Sequence, residues 1–152
     1  MKVESRRLAE TAKIYLRVAL AAAYLSSVAS RFGWRGAGRG WGNFQNFLDY
    51  TAKLNPFLPA SLIPVVGWMA TIAEVAFAVL LLIGFRIKTT AFLSGILLLL
   101  FAVGMTLGFG FKEPLDYSVY TASAGSFLLA AWHKNAFSVD AMIGNAAEIN
   151  GQ

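Results

Sequence analysis

The chain of 152 residues has no cysteine and a single histidine, His133. Without cysteine there are no disulfides, no thiolate nucleophiles and no thiolate or iron–sulfur ligands. One histidine excludes a haem held by paired histidines and argues against a histidine-rich metal centre. No metal or haem is expected, so any electron carrier is a bound small molecule or a partner protein. Charge is scarce too: 14% of residues are charged, against about a quarter in soluble domains, while 57% are hydrophobic. Water is a poor solvent for such a composition. Thirteen Lys and Arg against eight Asp and Glu leave a net charge of +5. The basic residues lie mostly between or beside apolar runs, which reads as membrane-flank charge and not as a nucleic-acid surface.

What is abundant is apolar sequence. Four stretches, residues 14–32, 62–85, 89–108 and 115–133, are separated by short connections in what reads as a single membrane domain. At 1.5 Å per residue each covers roughly 27 Å or more, close to a hydrocarbon core of about 30 Å. Between Ala91 and Met105 only Ser94 and glycines interrupt apolar side chains, whereas a soluble helix brings polar residues back every few positions. The expected fold is all-α, an integral membrane four-helix bundle. A basic leader followed by the apolar Val18 to Ala29 also fits a signal peptide, but the length of the leader favours a retained helix.

Basic residues set the expected orientation. Lys2, Arg6, Arg7, Lys13, Arg86, Lys88 and Lys134 fall on one side, and Arg31, Arg35, Arg39, Lys53 and Lys112 on the other. This mild excess places both termini in the cytoplasm. Tyr15 and Trp132 then mark the inner interface, and Trp34, Trp41, Trp68, Tyr117 and Tyr120 the outer one. The one long connection opens with the glycine-rich Gly33 to Gly42, whose spacing does not match a dinucleotide loop. Asn43 then caps an expected short interfacial helix, with Phe44, Phe47, Leu48, Thr51 and Leu54 at helical spacing before Asn55-Pro56 ends it.

Glu74, near the centre of the second stretch, is the one acidic residue in the interior of any span. A carboxylate at that depth is a candidate functional group, because leaving it alone in hydrocarbon costs at least about 2.5 kcal/mol. Arg17, one turn inside the first span, lies within roughly 8 Å of it in depth and is its expected electrostatic partner. Two plainer readings stand beside this: Arg17 snorkels to the headgroups, and Glu74 is a structural hydrogen-bonding residue. Gly104 and Gly108 form a GxxxG pair, and Ala122, Ser126 and Ala130 recur every four residues, as expected for close helix packing. In the turn Lys112-Glu113-Pro114-Leu115-Asp116-Tyr117-Ser118, Pro114 is expected to break the preceding structure and Asp116 to cap the last helix. The same turn puts Asp116 and Tyr117 at the outer mouth of the bundle, within reach of a headgroup or quinone ring.

Leu16-Arg17, Ala73-Glu74 followed by Leu80 to Arg86, and Pro114 to Ser118 together resemble the DoxX family of small four-helix membrane proteins, over about Leu16 to Ala131. The resemblance implies a multi-pass protein of the prokaryotic inner membrane, with some relatives similar to the small subunits of a thiosulfate:quinone oxidoreductase. It directs attention to Arg17, Glu74, Arg86 and Asp116. Arg86 also serves as an interface charge beside Lys88. The leading expectation is a redox-linked subunit that binds quinone, with Glu74 as proton or hydrogen-bond partner and a redox partner protein delivering the electrons. The alternatives are a non-enzymatic membrane scaffold or assembly module and a small proton-coupled carrier, the last disfavoured by the lack of a visible inverted repeat.

Overall fold

A computed structural model of the chain describes residues 2–34, 40–132 and 138–139, and no strand occurs among them. Arg35, Arg39, His133 and Lys134, invoked above, lie outside the described residues, as does the middle of the glycine-rich run. Among the described residues the helices run in the order α1 (Lys2–Arg31), α2 (Phe44–Leu54), α3 (Ile63–Ile83), α4 (Ile87–Phe109), α5 (Lys112–Asp116) and α6 (Val119–Ala131). A single 3₁₀ turn, Ala60–Leu62, leads into α3. Three of them, α1, α3 and α4, are long and apolar enough to cross a bilayer. The fourth apolar stretch is divided: Leu115 and Asp116 belong to α5, and α6 itself has 13 residues, about 20 Å of rise.

The chain is a multi-pass membrane protein, and its burial pattern follows from that solvent. α1 turns Leu20, Ala21 and Tyr24 inward and leaves Val18 and Leu25 outside, while α3 and α4 expose Met69, Ile72, Leu100 and Leu107. Such a continuous apolar exterior is a liability in water and a match to lipid. α1, α3, α4 and α6 form the bundle, with α4 and α6 most closely joined and α1 running along α3. Between α4 and α6 the contact rests on small residues, as expected. The Ser123 hydroxyl donates to the Gly95 carbonyl at 2.8 Å, and a Cβ on Gly95 would stand 2.9 Å from the Phe127 ring. Tyr24 of α1 joins them, its hydroxyl 2.7 Å from that of Ser94.

The GxxxG pair serves close helix packing against the short helix. Gly104 and Gly108 of α4 face the C-terminal turn of α2, and a Cβ on Gly108 would come within 2.8 Å of the Lys53 carbonyl oxygen.

Local sequence explains the turns. Asn43 caps α2 as its type predicts, its side-chain oxygen accepting from the Asn46 amide at 2.8 Å. α3 opens with Pro64 in its first turn and closes at Gly84 in the left-handed conformation (φ 70°), whose amide donates to the Leu80 carbonyl. The turn before α6 departs from expectation. α4 already ends at Gly110, Pro114 sits inside α5, and Asp116 accepts from Lys112 one turn back. Ser118, with φ 55°, occupies the position before α6, and no side chain caps that helix. A five-residue helix inserted into the turn leaves Asp116 at its C-terminal end, two residues before the N-cap position of α6.

Candidate functional site

Arg31 ends α1 and Glu74 lies in the middle of α3; they are 2% and 1% exposed. The Arg31 Nη2 donates to Glu74 Oε1 at 2.6 Å and to the Ser27 hydroxyl at 3.2 Å. Nη1 donates to Thr71 Oγ1 at 2.7 Å, and that hydroxyl donates onward to the Gly67 carbonyl at 2.8 Å. Because the Thr71 proton is committed to Gly67, its lone pairs face the guanidinium, and the polarity of the arrangement is set. One face of the guanidinium lies 3.8 Å from the centroid of the Phe47 ring, a cation–π contact contributed by α2.

Two polar atoms of this centre have no protein partner: Arg31 Nε and Glu74 Oε2, both buried. One is a donor and the other an acceptor, on the two partners of one ion pair, in a place where an unmet polar group costs about 1–3 kcal/mol. Above them lies an aromatic roof. Phe44 of α2 stacks on Phe32 (5.6 Å between centroids) and approaches Trp68 of α3 at 4.5 Å, and Trp41 packs on Phe47 and Tyr50. Tyr50 in turn stacks on Phe109 at 4.8 Å. Burial first, then the charge of Glu113, push its phenol up to about 12, so the roof is neutral at physiological pH.

The residues singled out from sequence separate here. Glu74 is buried in the bundle, but its ion pair is with Arg31, and the expected Arg17–Glu74 pair is not formed. Arg17, 4% exposed, donates through Nε to the Leu81 carbonyl at 2.8 Å and through Nη2 to that of Leu82 at 3.0 Å. It satisfies carbonyls that the last turn of α3 cannot satisfy internally, and it does not snorkel. Gly84 makes this possible, since a Cβ there would collide with Arg17 Nη2. Arg86, in the left-handed conformation (φ 47°), belongs to the α3–α4 turn at the same end as Arg17. Asp116 and Tyr117 lie on α5 and just after it, at the α2 end; Tyr117 is exposed and Asp116 pairs with Lys112. Neither is joined to Glu74 by any described contact.

The reason Arg31 replaces Arg17 is the length of α3. Glu74 is the twelfth residue of that helix, about 16 Å from its start, so the opening turns of α3 overhang the end of α1 and bring Glu74 level with the last turn of α1. A signal for this existed. Arg17, Tyr24 and Arg31 recur every seven residues, which places all three on one face of α1. Read only as an interface charge, Arg31 was overlooked.

The model for methylamine utilisation protein MauE matches residues 9–116, which is 108 of 152 residues and spans α1 to α5 with both arginines and Glu74. The chain belongs to the MauE family. This overturns the DoxX resemblance, which rested on short segments with local causes. Gly84 to Arg86 is a left-handed turn of the kind that joins two consecutive spans, and Asp116 serves a helix-surface ion pair. No curated protein and no solved structure is significantly similar to this MauE-family chain.

Proposed function

We propose that this MauE-family protein is the membrane subunit of a redox system and binds a quinone-class head group at the Arg31–Glu74 centre. The observation that carries the reading is the orphaned pair, Arg31 Nε–H and Glu74 Oε2, under an aromatic roof. A quinone carbonyl accepts from the first, a quinol hydroxyl donates to the second, and a planar ring suits the aromatic surroundings. Reduction of the quinone takes two electrons and two protons. The electrons come from a partner redox protein, since the chain has no thiol and its described residues hold no cluster of metal ligands. Glu74 is the group placed to pass a proton to or from the ring oxygen. By its family's name the setting is methylamine utilisation. Where that use is oxidative, each amine carbon taken to the aldehyde level releases two electrons and two protons, which matches one quinone. We place the protein in a prokaryotic inner membrane with both termini in the cytoplasm and α2 outside.

The test is purification in native lipid, solvent extraction of bound quinone, and thermal unfolding with and without a short-chain quinone. Co-purified quinone and a stabilising shift that disappears in Glu74→Gln are expected. Absence of both in the wild-type protein sinks the reading.

A second reading, a scaffold or assembly module, is favoured by one feature: Arg31 ties α1 to α3 and lies against α2. On that reading Glu74→Gln lowers folding yield, and no ligand changes the stability of either form.

A further inference from the structure

A site whose unpaired atoms are buried needs a way in, and one wall of this site differs from the others. The spans α1 and α3, which carry the ion pair, run along each other. The wall contributed by α2 is eleven residues long, below the roughly 12–15 residues at which an isolated helix becomes even marginally stable in water. Its helicity therefore depends on an apolar surface to lie against. Phe44, Phe47, Leu48, Thr51 and Leu54 face inward, while Gln45, Asn46, Asp49, Ala52 and Lys53 are exposed.

The seat is made of glycines. A Cβ on Gly67 of α3 would stand 2.5 Å from Leu48 Cδ2, and one on Gly108 of α4 would stand 2.8 Å from the Lys53 carbonyl oxygen. α2 thus rests on bare backbone at two points. Among the described residues its side chains form no salt bridge to a span, so lifting it breaks apolar and aromatic contacts and the cation–π contact of Phe47 with Arg31, but no ion pair. Both ends are punctuated: Gly42, with φ 74°, and the Asn43 cap precede it, and Asn55-Pro56 follows. It can move as one piece. Lifted, its apolar face stays solvated by the membrane interface, so the helix does not have to melt.

We propose that α2 is a lid, and that the Arg31–Glu74 site is reached from the membrane surface when α2 lifts off α3 and α4. The proposal rests on the reading of that site as a ligand site. Its test is independent of any quinone.

The latch is dictated by geometry. A Cβ on Gly104 would lie 3.7 Å from Leu54 Cβ, inside the spacing of about 3.5–4.5 Å between the Cβ atoms of a disulfide. The native chain has no cysteine, so the double variant Leu54→Cys, Gly104→Cys has one possible intramolecular bond, which pins α2 to α4 and can be reversed. The readout is adduct formation at Glu74 by dicyclohexylcarbodiimide, an apolar carboxyl reagent, measured by peptide mass spectrometry on the full-length protein in lipid nanodiscs. Oxidation of the latch is expected to slow labelling of Glu74 about tenfold or more, and reductant to restore it, if access requires local opening of the lid. The surface carboxylates Asp49 and Asp116 serve as controls that do not respond. In a separate single variant, Phe47→Ala, which removes the ring over Arg31, labelling of Glu74 is expected to accelerate several-fold. Equal labelling of the oxidised and reduced double variant, or no acceleration in Phe47→Ala, overturns the lid. A working latch in a protein that binds no quinone retains the lid and removes the quinone, so the two readings fail separately.

Discussion

Arg17 and Arg31 lie fourteen residues apart on one face of one helix, both are buried, and both donate to α3. They differ in what receives them. Arg17 meets the carbonyls of Leu81 and Leu82 at the end of α3, where the partial negative charge of the helix terminus favours a cation. Arg31 meets a full carboxylate in mid-helix and a threonine whose proton is already committed. The two Nε atoms make the contrast sharp: that of Arg17 donates to a carbonyl at 2.8 Å, and that of Arg31 has no partner. The fork of Arg17 completes a helix end. Arg31 keeps a donor in reserve beside a carboxylate oxygen that is equally unmet.

Breaking the Arg31 side has the largest expected effect. Glu74→Ala leaves a buried guanidinium without its counter-charge, which typically destabilises by about 3–5 kcal/mol, read as a fall in unfolding temperature in detergent. The double variant Arg31→Met, Glu74→Leu should recover most of that loss, since a buried ion pair replaced by apolar residues is often neutral or stabilising by about 1–4 kcal/mol, yet it should bind no quinone. A double variant as unstable as the single one would mean that the pair is structural after all.

On the other side, Arg17→Met removes two charge-assisted hydrogen bonds and should destabilise by about 2–4 kcal/mol in all, without altering quinone affinity in the protein that folds. If quinone binding falls in step with stability, the division between the two arginines is false. The smallest effect is expected at Asp116. Its ion pair with Lys112 is on the surface, and Asp116→Asn should change stability by no more than about 0.5 kcal/mol and leave ligand binding unchanged. A marked loss of binding there would move the site toward α5.

Much of the architecture was legible without coordinates. Long apolar runs announced α1, α3 and α4, and Asn43 with Asn55-Pro56 bracketed α2 to the residue. Glu74 stood out because carboxylates are rare at such depth. The misses share a cause. Asp116 has the residue type of a cap, but a short helix intervened. The DoxX-like motifs were short enough to arise from local turn chemistry.

Residue order alone thus decided which segments leave water, where they begin and stop, and that a carboxylate had to be accommodated among them, because hydropathy and capping act over a few neighbouring positions. The partner of that carboxylate, and the helix that roofs it, were settled by how far α3 overhangs α1 and where α2 comes to rest. Those are offsets between separate helices, set by packing across the bundle, and no local pattern along the chain encodes them.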